Sequence, residues 1–87
     1  MNIKVIVPSI LRKSTDGQEV VVVKAQSVRE CLNNLTDRFP ALKRWLYDKQ
    51  GDVASYIHIF VNKKQASTGE LLNDGDELLI LLSVAGG

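Results

Sequence analysis

The sequence predicts an α+β domain, a mixed sheet with one main helix packed across it. Two observations carry this expectation. Short apolar, β-branched runs stand at Ile3–Val7, Glu19–Lys24, Tyr56–Val61 and Glu77–Val84, separated by turn-forming clusters. Between the second and third of them lies a single segment with helical apolar spacing and a recognisable cap.

In chain order, Ile3-Lys4-Val5-Ile6-Val7 reads as a strand that stops at Pro8, a residue unable to donate to a ladder. Ser14-Thr15-Asp16-Gly17-Gln18 is a turn, with Asp-Gly supplying the positive-φ position. Glu19–Lys24 then returns as a second strand. Ser27 is a good N-cap, and Glu30 follows at capping-box spacing. Val28, Cys31, Leu32, Leu35 and Phe39 form one apolar stripe, which Pro40 closes. Ala41–Asp48 reads as a second helical piece with Leu42, Trp45 and Leu46 on one side, broken at Gln50-Gly51-Asp52. Tyr56–Val61 is the third strand, and Asn62-Lys63-Lys64-Gln65 turns the chain. Ala66–Leu72 fits a short strand followed by a helical turn. Asn73–Asp76 is a turn cluster, and Glu77–Val84 is the last strand. That run is apolar without alternation, which suits a central strand or one whose outer face awaits a partner. The long connection allows the first and last strands to lie side by side in parallel.

The chain has 87 residues and 45% apolar composition, enough for one modest core. A core of that size leaves little room for a deep substrate cavity, which weighs against a self-contained enzyme. Eleven Lys and Arg face ten Asp and Glu, a net charge of +1. Nucleic acid is therefore a poor partner, since the phosphate backbone rewards a strong basic excess. The single cysteine, Cys31, excludes an internal disulfide and Cys-rich metal sites. Neither a signal peptide nor a membrane-length apolar run is expected, so the chain reads as cytoplasmic, with no membrane partner.

Catalytic constellations are scarce. His58 sits mid-strand among apolar residues, and Cys31 lies on the apolar helical stripe. Both read as packing residues. Asp74-Gly75-Asp76-Glu77 lacks the ligand spacing of a calcium loop and reads as a turn. Lys43-Arg44 and Lys63-Lys64 read as solvated pairs. No glycine-rich phosphate loop precedes a helix. The Gly86-Gly87 pair is different, because it follows an apolar strand with only Ala85 between. A glycine tether fits a narrow channel, since it has no side chain to clash. The group it would deliver is the carboxylate of Gly87. Adenylation by ATP makes that carboxylate an electrophile. A sulfur nucleophile then leaves a thiocarboxylate, and an amine leaves an amide.

Strand, strand, helix, strand, strand and a closing Gly-Gly resemble the ubiquitin-like sulfur carriers of the ThiS/MoaD family over essentially the whole chain. Leu72-Asn73-Asp74-Gly75-Asp76-Glu77-Leu78-Leu79-Ile80 is similar to the family's L-x-D-G-D-x-hydrophobic run, and Val84-Ala85-Gly86-Gly87 to its tail. Val7–Arg12, Thr15–Gln18 and Ile59–Asn62 resemble most the CysO-type branch, the carriers of cysteine biosynthesis. Leu82 and Ser83 stand where molybdopterin-synthase small subunits usually carry prolines, a departure from that branch.

The resemblance implies a β-grasp domain over residues 1–84 and a flexible tail over 85–87. It implies that Gly87 is the modified residue and that Val84, Ala85 and Gly86 thread a partner's channel. It further implies an E1-like adenylating enzyme, a pyridoxal-phosphate-dependent cysteine synthase and a zinc peptidase of the JAMM type. ATP, pyridoxal phosphate and zinc would all sit on those partners, with no cofactor on this chain, which is expected to be a monomer when free.

Recognition needs an exposed face. Alternation separates Leu78, Ile80 and Leu82 from Leu79 and Leu81. We expect Leu79 and Leu81 to face outward with Phe60 as an apolar docking patch, unless other segments cover that face. Three other classes stand beside the carrier: a ubiquitin-like modifier joined to lysines, a small enzyme, and a plain interaction domain with an accidental Gly-Gly.

Overall fold

A computed structural model describes residues 1–83. The predicted tail, Ala85, Gly86 and Gly87, and Val84 before it lie outside the described residues. Strand β1 (Asn2–Ile6) leads through a 3-10 helix (Ser9–Thr15) into β2 (Val20–Lys24). Helix α1 (Val28–Arg38) follows, then a 3-10 turn (Pro40–Leu42) and the single-turn α2 (Lys43–Leu46). Strands β3 (Ile57–Val61), β4 (Lys64–Gln65) and β5 (Glu77–Leu82) complete the fold.

The sheet order is β2-β1-β5-β3-β4. The first and last strands pair in parallel, Val5 opposite Leu78 and Ile6 opposite Leu79. Every other pairing is antiparallel. One face of the sheet is covered by α1, whose Val28, Cys31, Leu32 and Leu35 are buried against Ile3, Val5, Val21, Val23, Ile59, Leu78 and Ile80 in one core. The α1 cap forms as the spacing predicts: Ser27 Oγ accepts from Glu30 N–H at 3.1 Å. The reciprocal bond is displaced by one residue, because Glu30 Oε1 accepts from the Gln26 N–H at 2.8 Å.

Two local features differ from or add to the sequence expectation. The stretch between Pro8 and the turn, unassigned from the sequence, forms a 3-10 helix that runs on to Thr15. It buries Leu11 and Thr15 while exposing Ile10, and the Thr15 hydroxyl donates to the Gln18 carbonyl at 2.9 Å. Arg12 Nε donates to the Val7 carbonyl and its guanidinium pairs with Glu19, which links this helix to the residues just after β1 and just before β2. The short fourth strand begins two residues earlier than Ala66. Asn62 and Lys63 make the turn alone, both at positive φ (50° and 73°), and Lys64–Gln65 already pair with Phe60 and Val61. No helical turn follows; instead Ser27 and Leu71 form an isolated bridge that ties this segment to the start of α1.

Candidate functional site

The organising element is β5. It is the last strand in sequence, yet it lies between β1 and β3. Strand alternation sends Leu78 and Ile80 into the core, both fully buried. Leu79 and Leu81 project from the opposite face, where no helix of the described residues packs; Leu79 is half-buried and Leu81 is 40% exposed. Phe60 lies opposite Leu79 and is half-buried, so the three patch residues are neighbours on the helix-free face.

The pairing adds residues that the sequence reading missed. Ile6 is opposite Leu79 on one side and opposite Val20 on the other. An apolar row therefore runs across four strands as Val20, Ile6, Leu79 and Phe60, flanked by Leu81 and Val22. Val20 and Val22 are 46% and 51% exposed. Their signal was present in the unbroken Val20–Val23 run, since alternation must turn two of those valines away from the core. Val22, Lys4 and Glu77 form the adjacent cross-strand row, two residues along each strand, and Lys24 lies beyond Val22. The row is thus a part-exposed apolar surface with a border of mixed charge.

The last described residue is held at two levels. The Ser83 N–H donates to the Tyr56 carbonyl at 2.8 Å, and the Tyr56 hydroxyl donates to the Trp45 carbonyl at 2.8 Å. The start of β5 is held as well. Asp76 accepts from the Asn73 N–H and the Asn62 amide, and Asn62 Oδ1 accepts from the Glu77 N–H. These hydrogen bonds, the Asn73 N–H first, hold the Asp76 carboxyl below its ordinary value. Gly75, at φ +86°, makes the bend that brings Asp74 to accept from the Asn2 N–H. The Asn73–Asp76 turn therefore joins the beginning of the chain to the root of β5. Among the described residues no group of three or more His, Cys, Asp or Glu gathers.

The remaining sequence candidates are dispersed. His58 is half-buried across from Leu81 on the outer face. Cys31 is buried on the helix side, and desolvation pushes its thiol up to about 12, leaving it protonated and unreactive. The two are on opposite faces of the sheet and form no pair. A cleft of about 260 Å³ lies between α1 and the loop after α2, lined by Arg29, Asn33, Tyr47 and Thr68 among others. Its Tyr47 hydroxyl donates to Asn33 Oδ1 at 2.7 Å, and burial raises the Tyr47 pKa. Nothing in that cleft combines a nucleophile with a base. Among the described residues no helix is long and apolar enough to cross a membrane.

Comparison with known proteins bears on the family and the fold. The ThiS family model matches residues 5–87. The sulfur carrier protein CysO of Mycobacterium tuberculosis is 31% identical over 93 aligned positions, spanning all of both chains. Among solved structures, the Amycolatopsis orientalis complex of BexX and CysO contains a similar chain, with TM-score 0.87 and 30% identity over 98% of this chain and 99% of that one. Small archaeal modifier protein 1 from Haloferax volcanii is similar over all of both chains, with TM-score 0.91 and 26% identity.

Proposed function

The chain belongs to the ThiS family and is a sulfur carrier, and from that premise we propose that it delivers sulfur for the synthesis of cysteine or a related thio-metabolite through Gly87. The observation that carries this reading is the end-to-end similarity to the curated CysO carrier. The placement of β5 supports it mechanically. A strand hydrogen-bonded on both sides gives the residues after Ser83 a rigid root.

In this reading the Gly87 carboxylate attacks the α-phosphate of ATP on an adenylating enzyme, and pyrophosphate leaves. A sulfide-level nucleophile then attacks the acyl carbon, AMP leaves, and a thiocarboxylate remains. A pyridoxal-phosphate-dependent synthase consumes that sulfur, and a zinc peptidase of the JAMM type removes the product from the tail. This chain contributes positioning and recognition rather than reacting side chains. Val84, Ala85 and Gly86 thread the partner's channel, and Phe60, Leu79 and Leu81, extended by Ile6, Val20 and Val22, form the docking face. The solved CysO–BexX complex supports a protein partner for a chain of this kind.

The test is the intact mass of protein isolated from its native host. A fraction carrying one sulfur in place of one oxygen, lost on deleting Gly87, is the expected result. A mass that corresponds to carboxylate alone under sulfur-replete growth, with the adenylating enzyme present, would sink the proposal. A second reading, modification of target lysines, is favoured by the similarity to small archaeal modifier protein 1. It predicts Gly87-dependent conjugates that survive denaturing electrophoresis.

A further inference from the structure

The β2 edge of the sheet is partly capped by side chains of α1, two of them bonding to β2 itself and one just beyond its end. In the β1–β2 pair the Val7 N–H donates to the Glu19 carbonyl and the Ala25 N–H to the Met1 carbonyl. With the register placing Val5 opposite Val21 and Ile3 opposite Val23, odd-numbered residues of β2 bond to β1. The N–H and C=O groups of Val20, Val22 and Lys24 point the other way, along the edge. Two of those carbonyls are already taken. Lys24 O accepts from Asn34 Nδ2 at 2.8 Å, and Val22 O accepts from Arg38 Nη1 at 3.0 Å. One step further along, Glu30 Oε1 accepts from the Gln26 N–H at 2.8 Å.

Glu30, Asn34 and Arg38 are spaced four apart on α1, whereas Gln26, Lys24 and Val22 are spaced two apart on the extended chain. Four helical residues rise about 6 Å and two strand residues about 6.6 Å. The two repeats match over this length, with α1 running back along β2. A row of helix side chains thus occupies hydrogen-bonding positions that a neighbouring strand would use.

We propose that Glu30, Asn34 and Arg38 guard the β2 edge and prevent a second copy of this chain from adding its own β2 there. An unguarded edge would invite such pairing, because Val20–Lys24 is five residues long and two of its valines are exposed. Two such edges are self-complementary in antiparallel orientation about a two-fold axis. The opposite edge needs no such guard, since β4 has only two residues. Keeping the sheet closed leaves the apolar face and the tail as the surfaces through which partners engage.

The test is the Asn34→Leu/Arg38→Met variant, which removes both donors but keeps helix-forming side chains. The wild-type chain is expected to sediment as a single chain. The variant is expected to sediment as two, with new protection from hydrogen exchange at the backbone N–H of Val20, Val22 and Lys24. A variant that stays single with a native circular dichroism spectrum overturns the proposal. A dimer that leaves those three amides unprotected also overturns it, as does a wild-type dimer protected there. If the double variant fails to fold, Asn34→Ala decides by the same two readouts.

Discussion

Replacing Leu81 tests whether the outer face of the sheet meets the adenylating enzyme. Leu81 retains 40% exposure, and complete burial of a leucine is worth about 1.5–3 kcal/mol, so covering the rest contributes about 0.6–1.2 kcal/mol. At tenfold per ~1.4 kcal/mol, Leu81→Ala should raise the KM for the carrier about three- to sevenfold. Leu81→Asp should do more, at least about tenfold, because a carboxylate would be pressed against an apolar surface without a partner. The reacting carboxylate is untouched, so kcat should hold while KM rises, the pattern of lost uniform binding. The assay is carrier-dependent exchange of pyrophosphate into ATP, with thermal melts showing each variant folded at the assay temperature. Folded variants that both saturate the enzyme at the wild-type KM would refute the assignment of this face.

Three further outcomes are expected. Ser27→Ala removes the acceptor for the Glu30 N–H and should cost about 0.5–2 kcal/mol in denaturant unfolding. Asp76 has a native pKa below its ordinary value of 3.8, so its contribution to stability is present above that value and lost as pH falls through the native one. Denaturant titrations across acidic pH should show that loss, and Asp76→Asn should flatten the profile. Cys31, with its thiol pushed up to about 12, should resist thiol reagents at pH 8 in the folded chain and react once denaturant is added.

The parts legible in the sequence were those governed by local rules. Ser27, Glu30 and the Val28–Phe39 stripe announce α1 because capping and helical periodicity act within a few residues. The parallel pairing of the ends was accessible because β5 is apolar on both faces. The 3-10 helix was missed because Ile10 and Leu11 are adjacent residues with opposite fates, exposed and buried, and tight turns of this kind leave no helical stripe to read. The turn at Asn62-Lys63 was read two residues too long because positive φ at Lys63 carries no glycine signal. At the candidate site, Leu79, Leu81 and Phe60 could be named from alternation. Ile6 and Val20 could not be placed beside them, because that adjacency depends on register between distant strands. The edge ladder of Glu30, Asn34 and Arg38 was invisible for the same reason: polar residues on an exposed helical face look like ordinary solvated ones until the neighbouring strand is located.

The middle position of β5 also constrains how the molecule is born. A nascent chain emerging from the ribosome makes β1, β2, α1 and β3 first, but β1 and β3 share no border until β5 wedges between them. The sheet cannot be finished during early synthesis, and a prematurely terminated product would leave two unjoined halves for proteases to clear. Acquiring a stable body is therefore tied to late synthesis: a polypeptide able to escape degradation has already been translated through β5.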